Sequence, residues 1–190
     1  SVSAFLLNRS SDLAIALLKK AAQKGDSLAQ YTLYNRYYEG DCVRKNRPLA
    51  MHWLKKAAEG REAKAQYDLS WHYRTGDCVE QSDEQEMYWL RKAAAGGDDY
   101  AINALGYNYW KGIGVEKDVE KAVALYRKAA RKKNEHAALN LALCYRDGDG
   151  VEKDLRESIR WFRLAQRWCI DLDPLEIQDN IDELKKELKK

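Results

Sequence analysis

The chain has 190 residues, of which 45% are hydrophobic and 33% charged, and its formal net charge at pH 7 is +3. This composition indicates a folded globular protein rather than a disordered chain, and so small a net charge does not by itself indicate a nucleic-acid-binding protein. No apolar run approaches the roughly 20 residues of a transmembrane helix, so an integral membrane protein is not expected.

The first predicted helix covers residues 10–24, with Ser10 as its N-cap. Four apolar residues of this helix are expected in the core: Ile15, Leu17, Leu18 and Ala21. It matches only the second half of the repeating unit that follows, so we expect its partner helix to lie outside the chain or to be replaced by residues 1–8. No charged-then-apolar leader follows Ser1, and a signal peptide is therefore absent or already removed.

After this helix, one sequence unit occurs four times with a period of 36 residues and no insertion. Such periodicity is typical of helical-repeat proteins, in which each unit buries its apolar face by stacking on its neighbours. The repeated positions include Leu33, Leu69, Leu105 and Leu141, then Tyr37, Tyr73, Tyr109 and Tyr145, then Gly40, Gly76, Gly112 and Gly148. We predict a single domain with repeats at residues 27–62, 63–98, 99–134 and 135–170.

Each unit is predicted to form two helices. In the first helix, Ala29, Leu33 and Tyr37 follow the i, i+4, i+8 spacing of one apolar stripe, and Gly40 ends the helix in the left-handed conformation. The second helix follows a residue whose side chain can accept hydrogen bonds from first-turn amides. These N-cap residues are Asn46, Ser82, Asp118 and Asp154. The recurring tryptophans of the second helices, Trp53, Trp89 and Trp161, are expected in the core.

The last predicted element is a C-terminal capping helix at residues 174–189. Asp173 supplies its N-cap and Pro174 occupies its first position, which proline favours. Its apolar stripe comprises Ile177, Ile181, Leu184 and Leu188. Trp168 falls after the last full unit and is expected to pack on this helix.

The four cysteines are Cys42, Cys78, Cys144 and Cys169, and all are expected to be free thiols. Equivalent positions of neighbouring repeats lie roughly 10 Å apart, which is beyond the reach of a disulfide. Free thiols slightly favour the cytoplasm, although a periplasmic or secreted location fits if a signal peptide was removed. No spacing of Cys and His indicates a zinc site.

The unit A-x3-L-x3-Y-x2-G-x2-V, followed by a cap and W-x3-A-A, resembles the Sel-1-like repeat family, which is related to the tetratricopeptide repeats. The best-matching segment runs from Ala101 to Ala130, and the resemblance covers residues 10 to about 168. It implies an all-α fold, a right-handed α-solenoid of helix-turn-helix repeats whose first helices line a concave surface. It also implies a non-enzymatic adaptor or scaffold, of the kind found in bacterial signalling, envelope and immunity proteins.

The concave surface that the resemblance implies lets the sequence predict a binding stripe. On a helix that advances about 100° per residue, three positions of each first helix point roughly 140–160° away from the repeated leucine. These positions hold Tyr31, Asn35, Tyr38, Tyr67, Trp71, Arg74, Asn103, Tyr107, Trp110, Leu139, Leu143 and Arg146, with Tyr34 beside them. Aromatic residues and arginine dominate interface hot spots, so the stripe is predicted to bind a protein or peptide.

An alternative for the aromatic residues is packing between adjacent first helices. We favour packing for Tyr31 and Tyr67, which recur at one repeat position. We favour binding for the other aromatic residues of the stripe: Tyr38, Trp71, Tyr107 and Trp110. Arg74 and Arg146 are expected to contact acidic or carbonyl groups of the partner.

Other functions are weighed against this one. His52, His72 and His136 lie on different helices, so neither a catalytic site nor a cofactor is expected. An immunity protein that neutralises a secreted bacterial toxin is the main alternative. A second alternative is a basic face that binds nucleic acid or a membrane surface, although a solvated face is favoured over it. This face would comprise Lys19, Lys20, Lys55, Lys56, Arg91, Lys92, Arg127 and Lys128. The oligomeric state is left open.

Overall fold

The computed structural model describes residues 2–168 and 173–189, with side chains from residue 13 onward. Over these residues it contains helices and no strand, which confirms the predicted all-α fold of helix pairs. The helices form two compact units, Ser1–Asp98 (unit 1) and Asp99–Lys190 (unit 2). Unit 1 contains α1 (Val2–Gln23), α2 (Ser27–Glu39), α3 (Arg47–Glu59), α4 (Ala63–Thr75) and α5 (Asp83–Gly96). Unit 2 contains α6 (Asp99–Lys111), α7 (Val119–Ala130), α8 (Glu135–Asp147), α9 (Leu155–Trp168) and α10 (Pro174–Glu187).

The helix ends follow the predicted local signals. Gly40 ends α2 with a φ of 83°, and its amide donates a hydrogen bond of 2.9 Å to the carbonyl of Arg36. The side chains of Asn46, Ser82 and Asp118 accept hydrogen bonds from the amides three residues further on, at 3.0, 3.3 and 2.9 Å. These caps satisfy first-turn amides that have no partner within the helix, and they therefore stabilise the start of each second helix at that residue.

A second hydrogen bond closes every loop between the two helices of a repeat. The amide of the N-cap residue donates to the carbonyl of the repeated tyrosine nine positions earlier. The four pairs are Asn46 with Tyr37, Ser82 with Tyr73, Asp118 with Tyr109 and Asp154 with Tyr145, at 2.9, 3.0, 2.9 and 2.9 Å. These main-chain bonds fix where the second helix begins relative to the end of the first.

The core of unit 1 includes a buried cluster of leucines, alanines and aromatic residues, among them the fully buried Leu33 and Leu54. Trp53 is 8% exposed, and Trp89 packs half-buried against the same cluster. Leu17 was expected in this core and is instead 59% exposed. It lies beside the stripe through which α1 packs on α2, rather than within it.

The predicted start of the first helix is also wrong. Helix α1 begins at Val2, so Ser10 lies inside the helix and does not cap it. The segment before Ser10 contains neither proline nor glycine, and nothing in it interrupts the helix.

The core of unit 2 includes a cluster formed by α8, α9 and α10. Its largest buried members are Ile159, Phe162, Ile177, Ile181 and Leu184, and Trp161 and Trp168 pack against it half-buried. Trp168 therefore contacts the cluster to which the C-terminal helix belongs, as predicted.

Cys42, Cys78 and Cys144 are free thiols, as predicted, whereas Cys169 lies outside the described residues. Cys42 and Cys78 have positive φ values of 58° and 63°, close to the 64° and 67° of Gly114 and Gly150 at the equivalent positions. In the part of the chain that the structure describes, no helix has both the length and the apolar character needed to cross a membrane.

Candidate binding surface

Two tyrosines of the predicted stripe in unit 1 are hydrogen-bonded to the following repeat. The hydroxyl of Tyr31 donates a hydrogen bond of 2.9 Å to Asp68 on α4. The hydroxyl of Tyr38 donates one of 2.7 Å to Asp77, in the loop after α4. Both rings are half-buried, so these residues join adjacent repeats of unit 1.

A buried polar pair lies next to these two tyrosines. The hydroxyl of Tyr34 lies 3.0 Å from Nε2 of His72, and Nδ1 of the same ring lies 2.9 Å from the carbonyl oxygen of Asp77. Burial lowers the pKa of His72, so the ring is neutral. Nδ1 therefore donates to the carbonyl, and Nε2 accepts from Tyr34. Tyr34 was expected beside the stripe, but it belongs to the core.

The rest of the stripe in unit 1 is more accessible. Trp71 is 42% exposed, and its ring stands edge-on to His72 with the ring centroids 5.1 Å apart. Asn35 and Arg74 are exposed, and Tyr67 is half-buried. Trp71 is therefore the large apolar side chain that unit 1 presents to solvent on this stripe.

In unit 2, the aromatic residues of the stripe form a pair. Tyr107 is 38% exposed, Trp110 is half-buried, and the ring centroids lie 6.1 Å apart. The indole nitrogen of Trp110 donates a hydrogen bond of 3.1 Å to Asp149. Trp110 and Asp149 occupy the same repeat positions as Tyr38 and Asp77, so this tie between repeats recurs with a different donor.

The aromatic pair of unit 2 borders a pocket of about 210 Å³. Four residues of the predicted stripe line it: Tyr107, Trp110, Leu143 and Arg146. The remaining lining residues are Tyr126, Asn140, Cys144, Asp147 and Asp149. A second pocket of about 180 Å³ shares two of the stripe residues and adds Leu139 and residues of α10. Of the six stripe residues of unit 2, five line one or both of these pockets, and Asn103 lines neither.

Two polar residues of this stripe are already paired. The guanidinium of Arg146 donates two hydrogen bonds of 2.8 Å to Asp147, and this contact holds the pKa of Asp147 below its usual range. The amide oxygen of Asn103 accepts a hydrogen bond of 2.9 Å from Asn140. The charge of Arg146, which we expected to contact the partner, is therefore balanced within the chain.

Sequence reasoning missed the residues that shape the pocket, among them Tyr126, Cys144 and Asp149. A signal for Asp149 was present, because Asp41 and Asp77 occupy the same repeat position. The separation of 39 residues between Tyr38 and Asp77 recurs between Trp110 and Asp149, which links the aromatic residue to the loop of the next repeat.

The described residues include one group that could hold a metal ion, formed by His72, Asp77 and Cys78 within 4.8 Å of one another. These residues are already engaged. His72 is bonded to Tyr34 and to a carbonyl, and Asp77 accepts hydrogen bonds from Tyr38 and Arg47. A cation would compete there with the guanidinium of Arg47, so the arrangement does not favour a metal site.

Comparison with known proteins identifies the repeat. The Sel1 repeat model matches residues 6–26, 28–61, 63–98, 99–134 and 135–165. No curated protein matches the chain in sequence.

Solved structures similar to this chain include a Sel1 repeat protein from Oxalobacter formigenes, at 26% identity and a TM-score of 0.76 over 94% of this chain and 82% of that one. A protective antigen of uropathogenic Escherichia coli with an SLR fold is 30% identical, with a TM-score of 0.72 over 92% of this chain and 41% of that one. An immunity protein of Pseudomonas aeruginosa shares the fold at 18% identity and a TM-score of 0.56, over 92% of this chain and 74% of that one. The matched repeats cover most of the sequence, and the chain belongs to the Sel1 repeat family.

Proposed function

We propose that the chain is a non-enzymatic module that binds a protein or peptide on the stripe formed by its first helices. The Sel1 repeat fold is typical of protein–protein interaction, which supports the class of function. The specific surface and the identity of the partner belong to the proposal.

The observation that carries the proposal is the lined pocket of unit 2. Tyr107 and Trp110 are large side chains with few rotatable bonds, so a partner can be held against them at a small entropy cost. They border concave apolar surface rather than a flat face, and hot-spot residues cluster where a side chain can be fully desolvated. In unit 1, the exposed ring of Trp71 offers a second contact of the same kind.

The hydrogen bonds of unit 1 divide the predicted residues into two roles. Tyr31 and Tyr38 are held by Asp68 and Asp77, so we assign them to the joining of repeats. Trp71 and Tyr107 are assigned to the partner, and Trp110 is assigned both roles, because it is hydrogen-bonded to Asp149 and also lines the pocket. This division differs from the sequence analysis only at Tyr38, which was favoured for binding.

The test compares substitutions on the stripe with one away from it. A partner is isolated by pull-down and mass spectrometry, and its affinity is then measured by calorimetry. W71A and W110A are each expected to weaken binding by about 1–3 kcal/mol. Y88A is the matched control, because Tyr88 is an aromatic residue of a second helix and is 47% exposed. Unchanged affinity in a folded W71A/W110A double variant would refute the proposal.

Neutralisation of a secreted toxin is a narrower form of the same function. The similarity to the Pseudomonas immunity protein supports the shared fold alone, because the identity is 18%. Co-expression with a toxin encoded beside this chain distinguishes the two: protection of the host cell supports the immunity role, and continued killing counts against it.

A further inference from the structure

We propose that the pocket of unit 2 receives one basic side chain of the bound partner, a lysine or arginine, with its apolar stem against Tyr107 and Trp110 and its cation at Asp149. This inference rests on the function proposed above and specifies the chemistry of the partner at one point of the stripe.

The size of the pocket fits one amino-acid side chain rather than a drug-sized ligand. Pockets for drug-sized ligands occupy about 300–1,000 Å³. The pocket of unit 2 measures about 210 Å³, and its lining combines aromatic and aliphatic surface with two carboxylates, Asp147 and Asp149. A long aliphatic stem with a charged end matches that lining, because such side chains bury the stem and keep the charge at the rim.

The carboxylates of Asp77 in unit 1 and Asp149 in unit 2 occupy the same repeat position and differ in their ionic partners. In unit 1 the equivalent carboxylate, Asp77, is paired with Arg47 at 3.0 Å. The position of Arg47 is occupied in unit 2 by Val119, which cannot supply a charge. Among the described residues no cationic group lies within 4.0 Å of Asp149, whose carboxylate accepts a neutral hydrogen bond from Trp110. A partner cation would therefore supply the neutralisation that Arg47 gives to Asp77.

The space beside this carboxylate also differs between the two units. In unit 1 the positions equivalent to Gly106 and Cys144 hold Tyr34 and His72, which fill the core and bond to each other at 3.0 Å. In unit 2 the ring of Tyr126 packs against Gly106 and Cys144 lines the pocket. The ring of Tyr126 takes the space beside Gly106, and the pocket of unit 2 lies where Cys144 stands in place of the larger His72.

The surrounding groups favour a cation over an anion. Arg146 is balanced by Asp147, so it does not offset Asp149. Burial, together with the charges of Asp149 and Asp147, raises the pKa of Cys144 to about 11, so this thiol is uncharged at neutral pH and does not repel a cation. Aromatic faces attract cations. Lys111 already lies over the Trp110 ring, 4.7 Å from its centroid, so a partner side chain shares this ring with a cation of the chain itself.

The experiment titrates the full chain with three small probes and follows the indole N–H signal of Trp110 by NMR. The probes are the Nα-acetyl methylamides of lysine, arginine and norleucine, of which norleucine has an apolar side chain without charge. Lysine and arginine probes are expected to bind roughly tenfold more tightly than the norleucine probe, because a charged hydrogen bond adds to the apolar contact. Equal affinity for all three probes, or no shift of the signal, would overturn the proposal.

Two variants and one control assign the effect to Asp149. D149N keeps an acceptor for Trp110 and removes the charge, so it is expected to abolish the preference for the basic probes. V119R places an arginine where unit 1 has Arg47 and is expected to exclude those probes. A124R adds the same charge at an exposed position of α7 and is expected to leave binding unchanged. A preference that survives both D149N and V119R would also overturn the proposal.

Different results would overturn the proposed function and the preference of the pocket for a basic side chain. If the basic probes bind through Asp149 but partner affinity is indifferent to W71A/W110A, the preference of the pocket for a basic side chain stands, whereas the proposed binding of a partner on the stripe falls. If partner affinity depends on those tryptophans but the probes show no charge preference, the proposed function stands and the pocket assignment falls.

Discussion

The hydroxyl of Tyr31 donates a hydrogen bond of 2.9 Å to Asp68, and this bond joins the first helices of two successive repeats in unit 1. The acceptor, the carboxylate of Asp68, is largely buried, and burial disfavours its charged form. Burial, with a smaller contribution from the charge of Asp98, raises the pKa of Asp68 from 3.8 to about 6, although the hydrogen bond from Tyr31 acts to lower it. The contact is therefore sensitive to pH near neutrality.

Asp68→Asn is expected to stabilise the protein at pH 7 by about 1–2 kcal/mol, since it removes a buried charge and keeps an acceptor for Tyr31. An acid with a raised pKa binds more protons in the folded state, so its contribution to stability declines as pH rises from about 4 to 6. Urea unfolding at pH 7 and pH 4 measures the effect. The advantage of the variant should shrink at pH 4, where the wild-type carboxyl is protonated, and an equal difference at both values would contradict the assignment.

His72 is expected to act in the opposite direction. Its pKa is lowered by burial from 6.5, so the unfolded chain takes up more protons below that pH and stability falls on acidification. His72→Phe should remove this part of the acid sensitivity between pH 6.5 and 5. It should also cost roughly 1–3 kcal/mol at pH 7, because the Tyr34 hydroxyl loses its acceptor. Thermal unfolding of the wild type and the variant between pH 6.5 and 5 measures the effect. The same pH dependence of stability in both proteins would argue against a neutral, buried His72.

Substitutions at two glycines of one loop distinguish the cost of backbone strain from the cost of a steric clash. Gly148 and Gly150 have φ values of 80° and 67°. A Cβ at Gly148 would meet its nearest neighbour at 3.5 Å, whereas one at Gly150 would lie 2.7 Å from the carbonyl oxygen of Val119. Gly148→Ala is expected to cost about 1–2 kcal/mol and Gly150→Ala about 2–4 kcal/mol. Chemical denaturation of both variants measures the gap, and equal losses would show that the loop does not approach Val119 so closely.

The basic pairs of the second helices are expected to play no part in binding. Lys55 and Arg91 are exposed, as a solvated face requires. A Lys55→Ser/Arg91→Ser variant should keep partner affinity within about twofold at physiological salt. Fluorescence polarisation with a labelled DNA duplex provides the counter-test: affinity that falls steeply with salt, and falls again in the variant, would support the nucleic-acid alternative instead.

The elements of the fold could be predicted because their signals are local and repeated. Gly40 and Asn46 act within a few residues of their own positions, and the period of 36 residues places every other cap. Cys42 and Cys78 occupy the same repeat position as Gly114 and Gly150, and glycine at that position is typical of the left-handed backbone that all four residues adopt. The predicted helix start at Ser10 was wrong, because a serine that can cap a helix also fits inside one when no proline or glycine precedes it.

The candidate site was less predictable, because its properties depend on contacts between repeats. The exposure of Tyr38 depends on whether a carboxylate stands 39 residues later in reach of its hydroxyl, as Asp77 does. The pocket depends on the combined volumes of residues such as Gly106, Tyr126 and Cys144, which come from three helices. A helical projection gives the direction of a side chain, but it does not show which residues of the neighbouring helices contact that side chain.

The main-chain bond between each N-cap amide and the tyrosine carbonyl has a consequence for the diversity of such proteins. It makes no use of the side chains between those two residues, which include Asp41, Asp77, Ile113 and Asp149 at one shared position. Substituting one of these side chains changes the chemistry of a loop. The main-chain bond that sets the start of the second helix relative to the end of the first is kept. Specificity can therefore evolve one loop at a time on an unchanged backbone.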